Sequence, residues 1–375
     1  MSRTSTVFRA TMSLDVTSYT SILEGADVTE AAMEFPTEDA LAHLDNLLLG
    51  FIVPIISFSI LGLATNITNI IVFIKMGLQE TTTISMLALA VSDFICCLLS
   101  LWTYVCYIPA FRDLPNLPFN SVEVSMETGV IIRPFFTRTG ALITAYITLE
   151  RCLCVVLPMK VKTIITTKVT RITMVIIYLI TLLPYISHQF QATLGWKFYP
   201  HLNRTMIGTV HVNDPVASVA LQVNTFVVGF FYLLLASVTI FVCTTFLVIT
   251  LARNSKWRES VSSQTRPSSS SDESGNSKPS GSRKENRLMK MVVAIALLFI
   301  FCHIPAIVSI FLATFSTDFF RTGRYGSFII LLSSIQFAFE VVNNSLNFFL
   351  YYMMGTKFKG VFRQMVGLAR KTVSS

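Results

Sequence analysis

The sequence predicts an all-α membrane protein: a bundle of seven transmembrane helices followed by a short amphipathic helix on the cytoplasmic side. Three observations predict it. Hydrophobic residues make up 53% of the 375 positions and charged residues only 13%, about half of the ~25% charge carried by a soluble globular chain. Seven apolar stretches are long enough to cross the hydrocarbon core, which takes about 20 helical residues. Lys and Arg are divided between the intervening segments as the two sides of a membrane divide them. This composition excludes a disordered chain and disfavours a soluble enzyme.

Residues 1–46 form an acidic extracellular tail, with eight acids from Asp15 to Asp45 against Arg3 and Arg9. No basic start followed by an apolar run occurs there. A cleavable signal peptide is therefore not expected, and the first span serves as the insertion signal. The spans run roughly over Leu47–Ile74, Ile84–Ile108, Thr128–Leu157, Val169–Ser187, Val216–Leu251, Met289–Ser316 and Ser327–Met354, so residues 47–354 form one membrane domain. Helices are the only reading, because backbone groups in lipid must bond within their own segment. The loop Leu114–Asn120 has no base, whereas Arg253–Lys290 carries nine and the C-terminal tail adds Lys357, Lys359, Arg363, Arg370 and Lys371. The N-terminus is thus expected outside and the C-terminus in the cytoplasm of a multi-pass plasma-membrane protein. The net charge of +8 reads as a topology signal, so the lipid bilayer is the partner and nucleic acid is not.

Residues 253–287 read as a flexible cytoplasmic loop. Its Ser-rich part, Ser260–Ser282, cannot bury enough apolar surface to fold, and phosphorylation and a plain linker are both open readings. Residues 355–375 read as an amphipathic helix and tail, with Phe358 and Phe362 one helical turn apart among bases, suited to the inner leaflet. Asn203-Arg204-Thr205 is an N-glycosylation sequon on the outer side; Asn66-Ile67-Thr68 has the same pattern but lies inside a span. Six of the seven cysteines lie in apolar runs, which argues against a disulfide framework. No zinc spacing is present, the five histidines are scattered, and no nucleophile–base spacing appears, so an enzyme is not expected.

Polar residues inside membrane helices are costly and point to function by default. Here they include Asn66, Asp93, Arg133, Arg138, Glu150, Arg151, His303, Glu340, Asn343, Asn344 and Asn347. The alternative for each is an interhelical hydrogen bond that only holds the bundle. Five strings stand in order on successive spans: Gly62-Leu63-Ala64-Thr65-Asn66, Leu89-Ala90-Val91-Ser92-Asp93, Glu150-Arg151-Cys152 with Pro158 following, Phe299-Ile300-Phe301-Cys302-His303-Ile304-Pro305, and Asn347-Phe348-Phe349-Leu350-Tyr351. Together they resemble the signatures of rhodopsin-like (class A) G-protein-coupled receptors over roughly Leu47 to Arg363. The runs Asn69–Gly77 and Ser255–Arg258 are also similar to invertebrate, especially molluscan, orphan receptors of the peptide and chemosensory group.

The resemblance implies a receptor that binds an extracellular ligand and activates heterotrimeric G proteins, with arrestin and receptor kinases as further partners. It implies a coupling switch of Glu150, Arg151, Glu285, Asn347 and Tyr351, and a sixth-span switch of Phe299, Cys302, His303 and Pro305. Asn66, Asp93, Asn343 and Asn347 resemble the family's allosteric sodium site, although Gly140 stands where a serine is usual; a protonated Asp93 in a structural network is the alternative. No other cofactor or metal is implied. Departures are clear. The outer disulfide cannot form, since the third-span position falls near Met126 and the loop from His188 to Pro215 has no Cys. His303 replaces the usual tryptophan and Phe348 the usual proline.

Helical spacing bears on the same residues independently. Eighteen residues make five turns, about 27 Å of rise. Arg133 and Arg151 are so related on the third span, as are Glu285 and His303 on the sixth, while Glu340, Asn347 and Tyr351 lie near one face of the seventh. Arg133, His303 and Glu340 are the candidate ligand-pocket residues. A buried arginine favours an anionic or carbonyl-rich ligand, a peptide or a small anionic or chemosensory molecule; a structural Arg133–Glu340 salt bridge is the alternative. Arg138, about 140° further round the helix, need not share this pocket. No lysine lies between Ser327 and Met354, which excludes a retinal Schiff base. A transporter or channel is the rival class, but it predicts internal repeats and broken helices, neither of which is evident.

Overall fold

The computed structural model describes residues 38–157, 159–188, 190, 192–200, 202–211, 225–264, 280–315 and 326–367. Seven long helices coincide with the seven expected spans: α1 Glu38–Met76, α2 Thr81–Tyr107, α3 Arg133–Val156, α4 Thr167–Leu182, α5 Tyr232–Gln264, α6 Ser280–Phe315 and α7 Gly326–Met354. The short helix α8, Thr356–Met365, follows. Five of the long segments are apolar and long enough to cross a membrane. Of the other two, α4 has only 16 residues, and α7 carries Gln336, Glu340, Asn343, Asn344 and Asn347 within an otherwise apolar run.

Several boundaries differ from the sequence reading for identifiable reasons. Helix α5 continues to Gln264 and α6 begins at Ser280, so helix enters both ends of the segment read as loop. No Gly or Pro interrupts Tyr232–Gln264, and Pro279 immediately precedes α6, where a proline can stand just before a helix. The third membrane segment begins at Ser121 rather than Thr128 and runs to Val156. Its start is capped by Asn120, whose side chain accepts from the Val122 and Glu123 amides at 3.2 Å each. A π-helical turn at Met126–Val130 then leads into α3, so Pro134 falls in a first turn that needs no amide donor there.

Helix α3 is central and packs against α2, α4, α5 and α6, while α7 packs on α1, α2 and α6. Between α3, α5 and α6 the core is built of Ala141, Ala145, Ala236 and Ala296 around Phe299 and Ile240, small residues that let helices approach closely. Gly62 does the same for α1: a Cβ there would lie 2.4 Å from Cys97 Sγ and 2.8 Å from Ser345 Oγ. Apolar residues such as Ile172, Val175, Leu179, Leu235, Phe241 and Val242 remain exposed on α4 and α5, as a lipid-facing surface requires. Helix α8 inserts the buried Phe358 against Phe73 and Tyr351, with ring centroids 5.3 and 5.7 Å apart.

One element was not foreseen. Strands β1 Ala192–Tyr199 and β2 Arg204–His211 pair antiparallel across the end of the bundle opposite α8. The Leu194, Trp196, Phe198 alternation is a strand pattern, and Asn203 closes the turn at φ 48°, a conformation Asn tolerates. The hairpin is held without a disulfide, for all seven cysteines are free. Glu123 accepts from the Thr209 amide at 2.8 Å and meets Lys197 at 3.3 Å. His188 lies 2.9 Å from Glu127, Arg204 donates to the carbonyls of Leu117 (3.0 Å) and Pro115, and Asn120 and Ile207 exchange backbone bonds with this clasp. Thermal unfolding of the purified protein is therefore expected to be insensitive to dithiothreitol, whereas Glu123→Ala lowers stability by about 2 kcal/mol through loss of a charged acceptor. A reductant-sensitive melting temperature contradicts the non-covalent clasp.

Candidate functional site

At the hairpin end, Arg133 stands in the first turn of α3 and Glu340 in the middle of α7. Arg133 Nη2 lies 2.9 Å from Glu340 Oε2, with both side chains almost wholly enclosed. The approach is a close ion pair rather than an aligned hydrogen bond, since neither terminal nitrogen of Arg133 has a hydrogen-bond partner. Its Nε donates to Ser100 Oγ at 2.8 Å, and its guanidinium lies 4.4 Å over the Phe337 ring. Gln336 donates to the other Glu340 oxygen at 2.9 Å. The salt-bridge alternative for Arg133 is thus the observed arrangement.

His303 is buried on α6 and stacks on Phe299 with centroids 3.8 Å apart. Its Nδ1 lies 3.0 Å from the Phe299 carbonyl; a carbonyl only accepts, so Nδ1 is the donor. Its Nε2 has no hydrogen-bond partner. Glu340, Arg138 and Arg133 are all within electrostatic range of this ring. Arg138 is buried on α3, the helix of Arg133. Its Cα is turned away from that of Arg133, yet its long side chain comes within range of Glu340, and its buried Nε and Nη1 have no partner. Helical spacing describes where Cβ points, not where a guanidinium ends.

Further along the bundle, Asn347 Nδ2 donates to Asp93 Oδ2 at 2.8 Å. The Asn344 amide nitrogen, in the orientation its neighbours require, donates to Asp93 Oδ1 at 3.3 Å and to the Glu340 carbonyl at 3.2 Å. Asn344, absent from the expected sodium-site set, therefore touches Asp93. Asn66 instead holds backbone, donating to the carbonyls of Asn344 (2.8 Å) and Gly62 (2.9 Å). Asn343 is buried beside them, and among the described residues it makes no hydrogen bond to Asp93. A Cβ on Gly140 would sit 3.6 Å from Asp93 Oδ1, so the missing serine leaves ordinary space. The Asn347 side-chain oxygen, Oδ1, is buried without a partner.

Toward α8, Arg151 Nη2 donates to Glu150 Oε1. The same oxygen accepts from Thr81 and Thr82 at the start of α2, so the buried Glu150 joins α2 to α3. The Glu285 side chain lies outside the described residues, as does Pro158. Tyr351 is buried with its hydroxyl unpartnered and its ring edge-on to Phe73 at 5.2 Å. Phe299 and Cys302 are buried and Pro305 lies within α6. Asn203 is exposed at the hairpin turn, where a sequon can be reached.

Seven packed helices with acid–arginine contacts at both ends define a multi-pass membrane protein with a polar interior. The sequence matches the family described as 7 transmembrane receptor (rhodopsin family) over residues 65–351. That is more than half of the chain, and the chain belongs to this family: it is a G-protein-coupled cell-surface receptor. Members are receptors rather than enzymes, and nothing in the structure favours a transporter or channel. A comparison with curated proteins finds no match.

The buried pair makes a direct prediction. Glu340→Gln is expected to lower stability by about 3–5 kcal/mol, because it leaves the buried Arg133 charge without its partner. Thermal unfolding measures this, and a change within ~0.5 kcal/mol, ordinary for a surface site, contradicts the ion pair.

Proposed function

We propose that the hairpin end is extracellular, that α8 lies in the cytoplasm at the plasma membrane, and that the receptor responds to a ligand bearing an anionic or carbonyl-rich group. A peptide and a small acidic or chemosensory molecule both carry such groups. The supporting observation is that one rod, α3, holds Arg133 against α7 at one end and Arg151 against Glu150 at the other. The two arginines are eighteen residues apart, about 27 Å along the helix. A ligand group that competes with Glu340 for Arg133 shifts α3 against α7, and the shift reaches the Arg151 end through the same rod.

The signal is a population shift. A ligand favours the coupling state only by its differential affinity for that state, and moving the ratio from 1:99 to 99:1 takes about 5.5 kcal/mol. By linkage, a bound G protein raises agonist affinity by the same factor. Release of Arg151 from Glu150 and from Glu285 opens the cytoplasmic end to the heterotrimeric G protein, with Asn347 and Tyr351 re-pairing and α6 moving about Pro305 beneath His303. Phosphorylation by receptor kinases within 253–287 and arrestin capture complete the cycle. Residues 1–46 serve as the acidic outer tail, residues 47–354 as the receptor domain and residues 355–375 as the inner-leaflet helix and tail; Asn203 carries a glycan. Asp93 and the orphan side-chain oxygen of Asn347 suit an allosteric sodium ion, which would supply a compact positive charge between α2 and α7; Gly140 offers it no donor.

Arg151→Ala is the test. Surface expression is expected within about twofold of wild type, because Arg151 lies at the rim of the bundle, while GTPγS uptake by membranes falls to the level of empty cells. Undiminished nucleotide exchange contradicts the assigned switch.

A further inference from the structure

We propose that the bundle binds one small monovalent anion, a halide or a carboxylate group, against the Arg138 guanidinium on α3. The proposal rests on the reading of the hairpin-end cluster as the ligand region and names the chemistry that region accepts. Arg138 is only 4% exposed. Its Nε and Nη1 are enclosed without a hydrogen-bond partner among the described residues. Arginine does not shed its proton in proteins, so this is a permanent charge with unused donors.

Among the described residues, the neighbours on α7, α6 and α2 supply no free counter-charge. On α7, Glu340 is the one acid within range of Arg138, and Arg133 holds it at 2.9 Å. On α6, His303 turns Nδ1 to the Phe299 carbonyl and brings no negative charge. On α2, Cys96 is in range, but its sulfur is 3.7 Å from the Thr137 hydroxyl. Asp93 is held by Asn347 and Asn344 and is not among the groups that act on Arg138. About one and two turns further along α3 stand Ala141 and Ala145, packed among Ala236 and Ala296. Two guanidiniums and one carboxylate leave one net positive charge. Water would satisfy the free N–H groups but not that charge; a small anion satisfies both. A halide from the medium and the acid group of an extracellular ligand share this chemistry.

The test needs neither agonist nor G protein. The purified full-length receptor is melted at constant sodium concentration and ionic strength while a bulky sulfonate, 2-(N-morpholino)ethanesulfonate, is replaced stepwise by chloride or by acetate. Ligand binding to the folded state alone is expected to raise Tm saturably, by about 5 °C at a hundredfold excess over Kd. A chloride response identifies a halide site, and a response to acetate alone identifies a carboxylate subsite. Arg138→Leu is expected to abolish the shift, and Arg138→Lys to keep it with weaker half-saturation. Glu340→Gln, which frees Arg133 and adds a net positive charge, is expected to tighten half-saturation severalfold. Arg151→Ala is expected to keep the full shift, so loss of coupling and loss of the anion site read out separately. Identical melting of the wild type in all three salts overturns the proposal, as does a shift that persists in Arg138→Leu. Should Arg138→Leu not fold, unchanged half-saturation in Arg138→Lys overturns it equally.

Discussion

The Arg133–Glu340 contact joins two helices that otherwise meet little at the hairpin end, and it does so where no water can share the charges. In such a place an ion pair adds little net stability over a well-packed apolar pair, yet breaking it is severely unfavourable. Its effect is therefore on specificity. It dictates which face α3 turns to α7 and at what height, and neighbouring positions follow from that choice. Ser100, Phe337 and Gln336 each make one contact to the pair, so α2, α3 and α7 meet at one ion pair.

From this point a chain of polar contacts runs down α7. The Glu340 carbonyl accepts from Asn344, whose amide also reaches Asp93 on α2, and Asn347 holds the other Asp93 oxygen. The Asn344 carbonyl in turn accepts from Asn66 on α1. About two turns of one helix thus touch α1, α2 and α3 through side chains that have no aqueous alternative. The α8 end repeats the pattern on a different pair of helices, with Glu150 bound to Arg151 and to two threonines of α2. The two sets of contacts thus act on two helices in common, α2 and α3.

Much of this was legible in the sequence, for a reason particular to membranes. Seven helices could be read because lipid imposes both length and apolarity, and Asp93 with Asn347 or Glu150 with Arg151 stood out because charge is rare there. The hairpin was not legible. Its alternation is short, Trp196 and Phe198 are exposed, and the contacts that hold it come from Glu123 and Glu127, remote in sequence. Arg138 escaped because a helical wheel ends at Cβ, and Asn344 because its neighbour Asn343 matches the family pattern equally well. The helical continuation of α5 past Arg253 was obscured by serines whose composition resembles a linker.

The central claim is that a charge pair between α3 and α7 organises the receptor. It is tested most directly by exchanging the two charges: Arg133→Glu, Glu340→Arg and the double exchange, each measured for surface expression and for GTPγS uptake. The account predicts that either single change abolishes surface expression and that the double exchange restores a substantial part of it. A double variant no better than the worse single one would contradict the pairing.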